Sequence, residues 1–199
     1  MSISSKPTLI GLSGTFASGK DTLATHLAKQ YHYLHISTGD ILRHEAMRLR
    51  GSTERPVMRE VADELRHTKS PSYLVELALQ AYTEHQDRGK NYNGAIISGL
   101  RSLGEAKAIK KAGGVMLFVD APFEVRYHRM LSRQRDNETQ VTLEHFKQRE
   151  ASEMSSELGD DAGFNLQGIR DMSDLVLINH FETPEQFFEE VIDNLHLAS

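Results

Sequence analysis

An α/β fold with a parallel sheet covered on both faces is predicted by three features of the 199-residue sequence. Short, continuously apolar runs alternate with stretches of helical periodicity along the chain. The runs show no polar face, as strands buried on both sides require. The stretches between them are long enough to carry the chain back over the sheet, which parallel neighbours need.

The first strand is TLIGLS (Thr8 to Ser13), and the next helix, Lys20 to Tyr31, sets Leu23, Leu27, Ala24 and Ala28 on one face. YLHIS (Tyr33 to Ser37) is a shorter second strand. Helical patterns then run over Arg43 to Arg50, Val57 to His67 and Ser72 to Gln86, broken by GSTERP and KSPS. GAIIS (Gly94 to Ser98) and GVMLFVD (Gly114 to Asp120) are the third and fourth strands, with a helix over Leu103 to Ala112 between them. Glu124 to Arg133 and Leu143 to Leu158 read as helices, and DLVLIN (Asp174 to Asn179) as a fifth strand. A closing helix over Pro184 to Leu197 has its proline near the start, where no N–H is lost. Residues 1–199 suit one domain. Residues 38–93 are too many for a simple crossover and are expected to be an inserted, mostly helical, substrate-binding segment.

Composition excludes several classes. Lys and Arg number 23 against 28 Asp and Glu, a net charge of −5, so a generally basic nucleic-acid binder is not expected and any anion site must be a local cluster. With no Cys there is no disulfide framework, thiolate zinc site or thiol nucleophile. No apolar run approaches the roughly 20 residues that span a bilayer. MSISSKP lacks the basic-then-apolar layout of a signal peptide, so no membrane partner is expected and the cytoplasm is the expected compartment. The ten His residues show no metal-binding spacing and read as surface or packing residues.

GTFASGKDT places Gly14, Gly19 and Lys20 in the G-x-x-x-x-G-K pattern between a strand and a helix. In that setting the backbone N–H groups of Thr15, Ala17, Ser18 and Gly19 and of the helix start converge on phosphate oxygens, and Lys20 adds a point charge. Asp21 stands where a hydroxyl is usual, with Thr22 one position later. Two roles are open to Asp21: complementing the helix dipole, or contacting hydrated magnesium. Thr22 would then offer its hydroxyl or N–H to a phosphate.

Ser37-Thr38-Gly39-Asp40-Ile41-Leu42-Arg43 resembles the S-T-G-D-x-L-R signature of adenylate kinases and related nucleoside monophosphate kinases, whose phosphate loop also carries its hydroxyl one position late. ISGLRS is similar to that family's D-G-F-P-R, with Gly99 and Arg101 corresponding and Ser98 replacing its magnesium-ordering Asp. EVRYHRMLSR resembles the helix before the family's lid. The resemblance implies a P-loop NTPase three-layer sandwich with strand order 2-3-1-4-5, a helical insertion and a short lid over residues 134–141. It implies ATP as phosphoryl donor with Mg²⁺, and a nucleotide-like acceptor held by Thr38, Gly39, Asp40, Arg43, Gly99 and Arg101. By the same resemblance Arg129 packs on the donor base and Arg133 contacts its phosphates, while Arg135 and Arg149 are candidates for the transferring group. Lys20, Arg43, Arg101, Arg129 and Arg133 are thus the implied catalytic set. Asp21, Asp40 and Asp120 are the candidate carboxylates for Mg²⁺, acting through water. The tail MSDLVLINHFETPEQFFEEV looks more like that of dephospho-coenzyme A kinases, whose acceptor is a hydroxyl. A nucleotide-binding regulator without transfer is the reading from another class, with Ser98 as its support.

Overall fold

The computed structural model describes residues 6–132, 142–154 and 160–197. Arg133, Arg135 and the stretch Gln134 to Val141 expected as a lid lie outside the described residues. The sheet has five strands in the order β2-β3-β1-β4-β5, and every pairing is parallel. The strands are β1 (Leu9–Gly14), β2 (Tyr33–Ser37), β3 (Gly94–Ser98), β4 (Val115–Asp120) and β5 (Leu175–Ile178).

Side chains alternate across the pleat and build a core on each face. Ile10, Leu12, Ile96, Leu117 and Val119 point to one side. There they meet Leu23 and Leu27 of α1 (Lys20–Tyr31) and Phe187 and Val191 of α9 (Pro184–Asn194). Leu9, Ala95, Ile97, Met116 and Phe118 point to the other. They pack on α4 (Tyr73–Asp87), α5 (Leu103–Lys111) and α8 (Leu166–Met172) through Val75, Ile109 and Ile169. This is the three-layer arrangement that doubly buried strands predict.

Between β2 and β3 the chain forms α2 (Thr38–Arg50), α3 (Arg55–Thr68) and α4. They carry a small core of their own, with Ala46, Val61, Leu65 and Leu74 at its centre. α2 begins five residues before the expected Arg43, because the Ser37 hydroxyl accepts from the Asp40 N–H and caps it. The remaining helices are α6 (Phe123–Ser132) and α7 (Leu143–Met154). α8 was not expected at all.

α3 is tied to the segment leading into α8 by His67. Its Nδ1 lies 2.7 Å from the Asp63 carbonyl oxygen and its Nε2 3.1 Å from Asp160 Oδ2. Both partners are oxygen acceptors, so they favour the protonated ring, which donates from both nitrogens. The Asp63 carbonyl first, and then Asp160, raise its pKa above the usual 6.5. The contribution of this contact is therefore fully present below pH 6.5 and lost as pH rises through the higher folded value. An NMR titration of the His67 ring is expected to give a midpoint above that of a free imidazole, falling back in Asp160→Asn.

Candidate active site

Four strands deliver site residues at their carboxyl ends, the edge where open α/β sheets place ligands. Gly14 ends β1, Thr38 follows β2, Gly99 follows β3 and Asp120 ends β4. Beyond β5, Asn179 reaches back to the loop after β1, its Nδ2 donating to the Ser18 carbonyl at 2.9 Å.

Residues 14–20 form a turn around an unfilled helix start. Gly19, at φ 99°, is the cap of α1 and offers no side-chain hydrogen bond to its first turn. The N–H groups of Asp21 and Thr22 precede the first helical bond, Leu23 N–H to the Gly19 carbonyl, and can turn to a ligand. A Cβ at Gly19 would lie 2.6 Å from Asn179 Nδ2, so the position is closed to other residues by both angle and space. Ala17 is held at φ 61°, a left-handed conformation that costs a non-glycine residue of order 1 kcal/mol or more. Ser18 Oγ is buried with no partner among the described residues. The Thr15 and Ser18 N–H groups, expected to face phosphate, instead donate to the Val119 and Thr15 carbonyls at 3.1 and 3.4 Å, so it is the helix start, the glycine cradle and an orphaned hydroxyl that fit a bound phosphate chain.

Lys20, Asp21, Ala17, Thr38, Gly39, Arg43, Gly99 and Arg101 all line one cavity of about 730 Å³. Gly99, at φ 89°, permits this convergence: a Cβ there would sit 2.8 Å from Thr38 Oγ1. Thr38 Oγ1 instead donates to the Ser98 carbonyl at 3.1 Å, joining the ends of β2 and β3. Arg43 pairs with Asp40, and both are exposed.

Other expected residues stand aside from that cavity. Asp120 accepts from Thr15 Oγ1 at 2.7 Å and from the Ala121 N–H at 2.8 Å, with Arg170 at 3.6 Å and Arg126 at 3.7 Å. Arg129 reaches the Ser18 carbonyl, Asn179 Oδ1 and the Phe181 carbonyl at 3.3–3.4 Å, beneath the end of the phosphate loop. Thr22 is exposed in the first turn of α1. Among the described residues no three His, Cys, Asp or Glu side chains gather to hold a metal. Magnesium is ordinarily held by one or two carboxylates together with phosphate oxygens and water. Asp21, 60% exposed and 3.7 Å from Lys20 Nζ, has a carboxylate that can meet such a hydrated ion.

Several wall residues were not singled out from sequence. Arg55, Arg59 and Arg66, with the Arg149 already expected from the resemblance, add to Lys20, Arg43 and Arg101, and only Asp21 and Glu153 oppose these seven cations on the wall. Phe164 carries the guanidinium carbons of Arg59 and Arg66, each 5.3 Å from its centroid. Arg66 is 2% exposed and pairs with the fully buried Glu105 at 2.9 Å. The other Glu105 oxygen accepts from the Arg101 N–H at 2.7 Å, and a Ser102–Glu105 capping box starts α5. Glu105 thereby fixes the backbone that carries Arg101. His35, outside the cavity lining, is a further residue not read from sequence: its Nε2 is 2.8 Å from Ser98 Oγ, where the resemblance expects an Asp. Burial lowers its pKa below 6.5 against opposing pulls from Asp21 and Asp40, so it is neutral at pH 7.

The arrangement can bind a polyphosphate at α1 and hold a second anion in the adjoining arginine-lined cavity. Over residues 13–147 the sequence matches the family described as AAA domain. No curated protein sequence matches this one. Three solved structures share the fold along nearly its whole length. A Thermus thermophilus protein is 19% identical with a TM-score of 0.55, covering 96% of this chain and 97% of its own. Shikimate kinase from Bacteroides thetaiotaomicron is 14% identical with a TM-score of 0.57, covering 95% and 98%. A gluconokinase from Sinorhizobium meliloti is 13% identical with a TM-score of 0.51, covering 97% and 94%.

Proposed function

The chain belongs to the AAA-domain family matched over residues 13–147, and on that premise we propose that it is an ATP-dependent nucleotide kinase. It transfers the γ-phosphoryl group of ATP to the phosphate of a nucleoside or deoxynucleoside monophosphate. The observation that carries this reading is the shared cavity, in which Lys20 of the phosphate loop and the acceptor-side residues Thr38, Gly39, Arg43, Gly99 and Arg101 meet. The neighbours named for shikimate and gluconate support a small-molecule acceptor.

In this reading Gly14, Thr15, Ala17, Ser18 and Gly19 wrap the donor phosphates and Lys20 balances charge on the β- and γ-groups. Arg43 and Arg101 hold the acceptor phosphate in line with the γ-phosphorus. An acceptor oxygen bonds to that phosphorus as the bond to the β-bridging oxygen breaks, releasing ADP. The acceptor phosphate is already anionic, so no side-chain base is required, and rate comes from positioning and fixed positive charge. Magnesium, when bound with ATP, would neutralise the β- and γ-oxygens, with Asp21, Asp40 and Asp120 as the carboxylates available to its water shell. Arg129 and Arg133 are assigned to the donor side. Residues 38–93 are assigned to acceptor binding, and residues 134–141 to a lid that excludes water.

The test is a panel of ribo- and deoxyribonucleoside monophosphates and dephospho-coenzyme A, each incubated with ATP and Mg²⁺. Diphosphate products are expected. A coenzyme A product would favour the second reading, transfer to a hydroxyl, which the tail from Met172 to Val191 supports by its resemblance. ATP binding without turnover on any acceptor would overturn both. Asp21→Ala is expected to raise the Mg²⁺ concentration for half-maximal rate several-fold, while the unfolding midpoint stays within a few degrees. Unchanged Mg²⁺ dependence would return Asp21 to the helix dipole.

A further inference from the structure

The acceptor wall contains a carboxylate that no anion-binding scheme calls for. Glu153 of α7 is only 9% exposed and lines the same cavity as Lys20 and Arg101. One of its oxygens accepts from Arg101 Nη1, across from the β3–α5 connection. The other accepts from Arg149 Nε at 3.2 Å, one helical turn earlier on α7. A single buried charge thus serves two guanidinium groups that arrive from different elements.

The second guanidinium also rests on the phosphate loop. Arg149 Cζ lies 3.9 Å from the ring centroid of Phe16, the second residue after Gly14 in the phosphate loop. An aromatic face at this distance attracts a guanidinium cation. Arg55 Cζ is 5.8 Å from the same ring. Burial lowers the Arg149 pKa; Glu153 opposes this, while Arg55 and Arg101 add to it. For Glu153, burial alone would raise the carboxyl, but Arg101 and Arg149 more than offset it and leave it below its usual value. The group is ionised wherever the protein is folded near neutral pH.

Resting on the reading of this cavity as the acceptor site, we propose that Glu153 is a positioning residue that holds Arg101 and Arg149 together and competes with the acceptor phosphate for them. Without it, two guanidinium groups would repel each other beside Arg55 and lose their fixed directions. With it, they stand ready, and a phosphate dianion carrying up to twice the charge displaces or shares the carboxylate. The competition weakens ground-state binding of the acceptor, and the fixed geometry is retained for the in-line transfer. The carboxylate therefore lowers affinity and raises rate at once, which a purely structural ion pair does not do.

Two variants separate charge from reach. Glu153→Gln keeps the shape and removes the competing charge. Glu153→Asp keeps the charge but shortens the arm that spans two arginines. Inorganic phosphate serves as the probe, its binding followed by ³¹P line broadening on the full chain saturated with the β,γ-imido analogue of ATP. Phosphate is expected to bind Glu153→Gln roughly fivefold more tightly than the parent chain, and Glu153→Asp about as the parent does. With the best acceptor of the nucleotide panel, kcat is expected to fall about 10- to 100-fold in both variants. The acceptor KM is expected to fall in Glu153→Gln. Phosphate affinity unchanged or weakened in Glu153→Gln overturns the competition, as does a raised KM. A parental kcat in Glu153→Asp overturns the positioning. If the parent chain phosphorylates nothing, the nucleotide-kinase reading fails and the positioning for transfer fails with it, while the phosphate measurement still decides whether Glu153 competes with an anion. Glu153→Asp retains the ion pair and gives the decisive comparison should Glu153→Gln not fold.

Discussion

Lys20→Ala is expected to lower phosphoryl transfer about 10²- to 10³-fold with little change in the unfolding midpoint. The ammonium is 7% exposed at the first position of α1, on the cavity wall. In so dry a place a fixed charge acts on developing phosphate charge with little screening by water. The truncated side chain leaves the N–H groups of the loop in place, so nucleotide binding falls less than turnover. Equilibrium binding of ATP beside steady-state rates checks this. A rate near that of the parent chain would remove Lys20 from catalysis.

The largest loss of stability is expected from Glu105→Ala, about 3–5 kcal/mol, the usual effect of leaving a buried charge unpaired. Arg66, its partner, is 2% exposed where it meets the cavity wall, so little water reaches the charge left behind. The same change removes the acceptor for the Arg101 and Ser102 N–H groups and half of the α5 capping box. Denaturant midpoints measure it. The double change Arg66→Met with Glu105→Leu is expected to lose less than Glu105→Ala alone, because no charge is then stranded. A loss below about 1 kcal/mol for Glu105→Ala would mean that water enters the pair.

The strands were legible because each is a short apolar run whose neighbours in sequence are helical, and burial on both faces leaves no other use for such runs. β1, β3 and β4 begin within one residue of their expected starts. The strand order was reached through resemblance to a kinase family, since periodicity says nothing about which strands are neighbours. α8 was missed because LQGIRDM spans barely two turns and has Gly168 inside it, too little for a 3.6-residue pattern. α2 was started late because Thr-Gly-Asp has the composition of a turn, yet those residues are the first helical turn under a serine cap. In the site, the phosphate loop and Thr38 to Arg43 were readable because each is one continuous stretch. Glu153, Phe164 and His35 were not. Their partners are 52, 105 and 63 residues away, as Arg101, Arg59 and Ser98 show, and only the folded chain brings them together.

The reach of Asn179 has a consequence for how the protein comes into being. The loop that recognises phosphate is made from residues 14–20, yet the Ser18 carbonyl within it is held from residue 179. Arg129, which touches the same carbonyl, also needs Asn179 as its acceptor. During synthesis the loop emerges well before its brace. A chain stalled before β5 would thus carry the complete phosphate-binding sequence without a loop held in shape, and nucleotide would report on chains that have passed β5 rather than on shorter ones.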